Sequence, residues 1–431
     1  MSEDDSKRAN HSNGSDWDLP VGQTPAKLKS GKHAWSAGLL FVLAVCAASR
    51  MFYLISGSIL ARVVPVGGFY RLTPDVPFGT LNLWSHWDGV WYIGISGEGY
   101  GAAAPASTAF FPLYPLLVRF SALLLGGPHS KEALSVWSPL VSLLFLPFAL
   151  YFVYHIALDG WGERVARGTV LIVAFFPTTF FLNAGYTESL FLALSAGSLW
   201  ALGVRKDLLL ACVLAAFAAA TRNVGVFLVV PLFYEWVKSG GLERGRERWE
   251  VVYLALVPCG LFAYMGYLWM RFGDPLLFYS AQEYWNRRHV DPLTLVLDIF
   301  GEAFGSLGAL FGAQPPAGSA VEAVVDRLHG ANDAYSLLFL LFTLALFGLG
   351  FRVLPLSLSL YTLLLILTAV TFGKPSTPLM GFSRYILVAF PLFITLATLL
   401  ESRRALAVWL SFSAAVSLLF CAFFVSWRFV A

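Results

Sequence analysis

Apolar stretches close to twenty residues long recur along this chain from Ala34 to about position 426. Crossing the roughly 30 Å hydrocarbon core of a bilayer takes about that many residues in a helix. One such stretch could be a core helix, but ten or so in succession leave no soluble core large enough to hold them. Only 13% of the 431 residues are charged and 58% are hydrophobic, whereas a soluble domain carries roughly a quarter charged. The expected fold class is all-α: a polytopic transmembrane helical protein of about 11 membrane segments. The spans are placed near 34–55, 134–158, 168–185, 188–203, 207–221, 223–237, 250–270, 334–351, 353–372, 383–400 and 405–426.

Residues 1–33 are polar and too poor in apolar side chains to fold, so they are expected to be a disordered tail. They start with acidic residues and lack the basic start and cleavage site of a signal peptide. Lys27, Lys29, Lys32 and His33 precede the first span, which by charge bias puts this tail in the cytoplasm. The domain proper is then 34–426. Within it, 56–133 is read as an outer-face loop with interfacial or re-entrant helices. Its Gly, Pro and aromatic content, with Pro112 and Pro115 closely spaced, breaks regular helix geometry. Such backbone survives at membrane depth only when buried in protein or lining a wet cavity. A second outer-face segment is read over 271–333.

The connectors alternate between basic sets (Arg164 and Arg167; Arg205 and Lys206; 238–248; Arg352; Arg403 and Arg404) and polar motifs. If the 108–127 piece is re-entrant, every basic connector falls inside and every polar motif outside. The stretches 207–221 and 223–237 then become two short helices meeting at a polar break. One long helix over 207–237 with Arg222 buried midway is the alternative.

Several function classes find no support. A net charge of +3, with no basic tract on a soluble face, gives nucleic acid nothing to bind. Cys46, Cys212, Cys259 and Cys421 lie far apart in apolar stretches, and the seven histidines are scattered, so no pair has metal-ligand spacing. The sequence requires no cofactor and supports no divalent metal. It holds no internal repeat of the interrupted helices that mark inverted-repeat transporters.

The polar motifs carry the chemistry. Asp88 sits in Ser85-His86-Trp87-Asp88-Gly89-Val90-Trp91-Tyr92, among aromatic rings that settle at a water–lipid boundary. A carboxylate there can take a proton from a sugar hydroxyl while still reaching water; a helix-capping Asp in an aromatic belt is the plainer reading. Glu188 lies between two apolar runs, where a carboxylate is costly and faces protein or a cavity, unless Thr187 and Glu188 simply start a helix. Arg222 and Asn223 interrupt an Ala-rich run, and Arg384 opens a span after Pro375-Ser376-Thr377-Pro378. An arginine at that depth needs an anion: Glu188, Asp88 or a ligand phosphate. Gln282, Trp285 and Arg288, within 281–289, suit stacking and hydrogen bonding to a sugar. They suit an amphipathic interfacial helix equally well.

These blocks, read together, resemble a known family. Trp87-Asp88-Gly89-Val90-Trp91-Tyr92 with Gly99-Tyr100, Phe110-Phe111-Pro112-Leu113-Tyr114-Pro115, and Gly185-Tyr186-Thr187-Glu188-Ser189-Leu190-Phe191 come first. Thr221-Arg222-Asn223, Phe272-Gly273-Asp274-Pro275, and Ser383-Arg384-Tyr385 with Phe390-Pro391-Leu392 follow in order. The pattern is similar to the PIG-V-like mannosyltransferases, a branch of the GT-C superfamily of polytopic membrane glycosyltransferases, and covers about residues 80–400.

The resemblance implies a GT-C-like fold with a large first outer loop. It also implies inverting transfer of a hexose, mannose by family, from a polyprenyl-phosphate sugar donor to a lipid-linked or glycan acceptor at the outer face. Asp88 matches the family's general base. Glu188 is the second candidate catalytic acid. Arg222, Arg384, His86, Asn223, Gln282, Trp285, Arg288 and Tyr114 form the candidate donor-phosphate and substrate set. Gly- and Ala-rich composition makes the chain look bacterial, in a cytoplasmic membrane, where the anchor made by eukaryotic relatives is not an available acceptor. A transporter or flippase of lipid-linked sugars is the competing class, with its Glu and Arg lining a path.

Overall fold

The computed structural model describes residues 32–67, 82–101, 105–125, 130–243, 246–312, 319–374 and 376–430. The tail before residue 32, the 126–129 stretch and other parts of the predicted 56–133 loop lie outside these, as do the side chains of Arg288 and His289.

The fold is all-α with one two-residue strand pair. Long helices α1 (Lys32–Val63) and α4 (Lys131–Phe175) flank α2 (Asp88–Glu98) and α3 (Leu113–Leu124). They are followed by α5 (Glu188–Gly203), α6 (Leu208–Thr221), α7 (Val229–Lys238), α8 (Cys259–Phe272) and the single turn α9 (Leu277–Ser280). After β1 (Arg288–His289) come α10 (Pro292–Leu307), α11 (Ala320–His329), α12 (Asn332–Gly350) and α13 (Leu356–Thr371). The chain closes with β2 (Phe372–Gly373), α14 (Phe382–Tyr385), α15 (Pro391–Leu399) and α16 (Arg403–Val425). Several helices start where the sequence supplies a side-chain acceptor. Asp207, Asp291, Ser319 and Ser402 each accept from the backbone N–H three residues on, satisfying one of the open donors of the first turn.

Among the described residues, six helices are long and apolar enough to cross a membrane, or seven if the bent pair Phe382–Val388 and Pro391–Leu399 counts as one span. Four shorter apolar helices accompany them. Side chains such as Leu40, Phe120, Phe262, Trp269 and Phe412 stay exposed, as a lipid-facing surface requires. The molecule is a multi-pass membrane protein.

Several predicted spans take a different shape, for local reasons. The stretches expected at 134–158 and 168–185 run on as one helix that breaks at Gly162, whose φ is 82°. That conformation costs glycine nothing. The second part stops at Phe175 because Pro177 forces Phe176 into an extended conformation (φ −61°, ψ 150°). The chain passes instead into a 3-10 turn, Thr179–Leu182. The 383–400 span is bent by 84° between its halves, where Pro391 starts the second. The 271–333 segment contains a helix not separated out in the sequence, Pro292–Leu310, whose length and composition fit a span. Helix α3 has only 12 residues, giving about 18 Å, short of the hydrocarbon core.

The 207–237 stretch is two helices. Arg222 is extended (φ −152°, ψ 143°), ending α6 and opening the 3-10 turn Asn223–Leu228 that leads into α7. Gly225 makes the turn compact, since a Cβ there would collide with the backbone of Ala218.

Candidate functional site

Two loops are stitched together before either carries chemistry. Gly185 N–H donates to the Trp84 carbonyl at 2.6 Å. The Tyr186 hydroxyl donates to the His86 carbonyl at 3.0 Å and accepts from Asp88 N–H at 3.2 Å. Ser85 Oγ bonds the Ser135 carbonyl, and Ser142 Oγ the Tyr186 carbonyl, so α4 backs both. Trp87 is held at φ 55° immediately before Asp88. A positive φ is costly for a bulky residue and persists only where its surroundings impose it.

Asp88 is the first residue of α2, but its carboxylate does not cap the helix. Its Oδ2 accepts from Arg384 Nη1 at 2.6 Å. Arg384 Nε lies 3.3 Å from Glu188 Oε1, an ion-pair contact without hydrogen-bond alignment. The same Oε1 accepts from Arg222 Nη1 at 3.1 Å. The four side chains form an alternating row: Asp88, Arg384, Glu188, Arg222. Glu188 and Arg384 are almost fully buried, while Asp88 keeps 27% of its side chain accessible. The guanidiniums also sit over rings, Arg384 over Tyr186 at 5.0 Å and Arg222 over Tyr385 at 4.9 Å. Such contacts strengthen when desolvated.

This row borders a cavity of about 800 Å³. Asp88, Arg222, Asn223, Gln282, Trp285 and Arg384 of the predicted set line it. Trp285 stands edge-on to Trp91 at 5.2 Å and donates Nε1–H to the Ala106 carbonyl at 3.3 Å. Asn223 Oδ1 accepts from the N–H of Val224 at 2.9 Å.

Three predicted residues are not among the lining. Glu188 lies behind Arg222 and Arg384, its Oε2 buried without a hydrogen-bond partner among the described residues. His86 is fully buried, stacked on Trp427 at 4.1 Å with Nδ1 3.3 Å from the Phe424 carbonyl. Burial pushes its pKa down to about 4, leaving it neutral near pH 7. Tyr114 is also fully buried, its hydroxyl donating to the Ser138 carbonyl at 2.6 Å and 2.8 Å from Ser142 Oγ. Both residues are occupied with packing rather than facing the cavity. The Arg288 side chain lies outside the described residues, and its backbone pairs with Gly373.

Residues not singled out in the sequence stand where some of these were expected. Arg287, Asp333, Lys374, Tyr385, Trp427 and Phe429 all line the cavity. Tyr385 belongs to the Ser383-Arg384-Tyr385 block, so its sequence signal was present. Arg287 adjoins Arg288 in the same polar string, so its sequence signal was present as well. Among the described residues, no three His, Cys, Asp or Glu side chains gather as ligands for a cation.

Comparison with known proteins bears on the same region. The chain is 26% identical over 242 residues to GPI mannosyltransferase 2 of Schizosaccharomyces pombe, covering half of each chain. It thus spans about half the length of that curated relative. The oligosaccharyltransferase of Archaeoglobus fulgidus, in its apo form, superimposes with a TM-score of 0.45 at 13% identity, over 90% of this chain and 56% of that one. Residues 76–238, which hold Asp88, Glu188 and Arg222, match the family described as Mannosyltransferase (PIG-V), the family to which the motifs themselves point.

Proposed function

We propose that this protein is an integral-membrane inverting hexosyltransferase. It transfers mannose from a polyprenyl-phosphate-linked donor to a lipid-linked or glycan acceptor at the outer face of the membrane. The observation that carries this reading is Asp88, partly accessible in a cation-lined cavity and held at 2.6 Å by Arg384.

The reaction asks for few groups. The acceptor hydroxyl loses its proton to the Asp88 carboxylate as its oxygen attacks the anomeric carbon from the face opposite the donor phosphate. The carbon–oxygen bond to phosphate breaks as the new one forms, and its electron pair leaves with the phosphate, so the configuration inverts. The departing phosphate is ionised and needs cations rather than an acid. Arg222, Arg287, Lys374 and Arg384 line the same cavity. Arg384 fixes the orientation of Asp88, and Glu188 fixes Arg222 and Arg384 from behind. Trp91, Trp285 and Gln282 offer ring faces and an amide to a sugar.

Transfer of radiolabelled mannose from polyprenyl phosphate mannose in vesicles containing the full chain tests the reading. Wild-type protein is expected to label a membrane or glycan acceptor, and Asp88→Asn to leave it unlabelled. Equal labelling by the two proteins would remove Asp88 from the chemistry, and none by wild type would remove the donor class.

A further inference from the structure

Among the described residues, two cations line the cavity with no carboxylate to neutralise them. Asp88 is held by Arg384, and Glu188 by Arg222 and Arg384. Among the described residues, no carboxylate lies within ion-pair distance of Arg287 or Lys374, the lining Asp333 included. Among the described residues, the cavity and its border therefore carry three carboxylates (Asp88, Glu188, Asp333) against four cations (Arg222, Arg287, Lys374, Arg384). The positive excess falls on the two cations that no carboxylate touches.

Backbone register brings these two cations together. Strands β1 and β2 run antiparallel, with Arg288 opposite Gly373 and His289 opposite Phe372. Arg287 directly precedes Arg288 and Lys374 directly follows Gly373, so both cations flank the same end of this short ladder. Like charges lining one cavity repel each other. An anion between them turns repulsion into attraction on both sides. Arg287 is also already held: both of its terminal nitrogens lie 3.1 Å from the Tyr385 hydroxyl, and Nη2 donates to the Met380 carbonyl at 3.4 Å.

We propose that Arg287 and Lys374 form the phosphate-binding subsite of this cavity, with Tyr385 as the positioning residue that fixes Arg287. The ligand is a phosphate ester, and the subsite rests on the reading of a phosphate-linked donor given above. Arg222 and Arg384 are poorer candidates, because binding phosphate would pull them from buried carboxylates. The charge fits the reaction as well. A sugar phosphodiester carries one negative charge and the monoester left after transfer approaches two at neutral pH, so a second cation gains attraction as the bond breaks.

The test measures binding of a short-chain polyprenyl monophosphate and, separately, of a nucleoside diphosphate sugar to the full chain in nanodiscs. Each is compared in wild type, Arg287→Gln, Lys374→Gln, Tyr385→Phe, Asp88→Asn, Arg222→Gln and Arg384→Gln, with the unfolding midpoint of each measured alongside. Losing one charge-assisted contact is expected to weaken polyprenyl phosphate binding about tenfold. Tyr385→Phe should weaken it less, and only while Arg287 is present; Asp88→Asn, which removes a negative charge from the cavity and frees Arg384, should not weaken it. If Arg287→Gln does not fold, Lys374→Gln carries the test, since Lys374 makes no buried ion pair among the described residues.

Wild-type affinity in both charge variants, with loss in Arg222→Gln or Arg384→Gln, overturns the subsite and leaves the donor reading standing. Binding of the nucleotide sugar alone, lost in Arg287→Gln, keeps the subsite and overturns the lipid-linked donor. Binding of neither ligand by wild type overturns both.

Discussion

Asp88 and Arg384 are joined at 2.6 Å although 296 residues separate them. The contact ties the start of α2 to the single turn α14, and through Arg384 it reaches Glu188 at the start of α5. An acid that must act as a base gains from being held: its orientation is set before an acceptor arrives, and ordering it costs nothing at the moment of reaction.

Asp88→Asn keeps the size of the side chain and removes its basicity. Turnover is expected to fall by about the hundred- to ten-thousandfold of a lost general base, with donor binding retained. Single-turnover transfer together with donor affinity checks this. Near-normal turnover in Asp88→Asn beside an inactive but folded Glu188→Gln would reverse the two assignments.

Glu188→Gln should act first on stability. Its carboxylate is 2% exposed and serves two guanidiniums, so a neutral amide leaves buried positive charge uncompensated. Breaking one side of a buried ion pair costs about 3–5 kcal/mol. The unfolding midpoint in detergent should drop clearly more for Glu188→Gln than for Asp88→Asn, whose carboxylate is partly solvated. Equal midpoints would mean that Glu188 does not hold the arginines in place.

What could be read from the sequence followed the kind of signal each residue carries. Asp88, Glu188, Arg222 and Arg384 stood out because charge is rare in an oily chain and must be paired when buried. The structure pairs them with one another. His86 and Tyr114 drew attention by lying in the same motifs, but a motif also holds the residues that pack its backbone, and these two are fully buried. Arg287 went unremarked beside Arg288, because nothing in a string of neighbouring polar residues ranks one guanidinium above the next. Trp427 and Phe429 could not be assigned, since only tertiary packing brings the stretch after α16 to the cavity. Hydropathy marked most of the helices, and the charge of Arg222 marked the break between α6 and α7, while the break at Gly162 depended on a single glycine.

Gly225→Val tests the break at Arg222. A side chain there meets the backbone of Ala218, which cannot yield as a flexible side chain would. Overpacking of this kind costs about 1–3 kcal/mol. The turn that aims Arg222 at Glu188 should shift, lowering both the unfolding midpoint and transfer. A variant with unchanged midpoint and activity would show that the turn does not set the position of Arg222.

The last prediction concerns pH and His86, which lies outside the membrane-spanning segments. Its folded-state pKa is about 4 against an ordinary 6.5, chiefly through burial, with the Phe424 carbonyl opposing. Between those values the unfolded chain binds the proton and the folded protein does not. Stability from this residue is therefore present above pH 6.5 and lost as pH falls toward 4, at up to about 1.4 kcal/mol per pH unit. His329 is shifted in the same direction, again mainly by burial, so His86→Gln should shallow the acid slope without abolishing it. Losing the stack on Trp427 should lower stability at every pH, which makes the slope the informative quantity. Unfolding midpoints of wild type and His86→Gln from about pH 7.5 down to about pH 4.5, a range that covers most of the interval between the two pKa values, give that slope. Parallel curves would show that His86 titrates in the folded protein as it does in the unfolded chain.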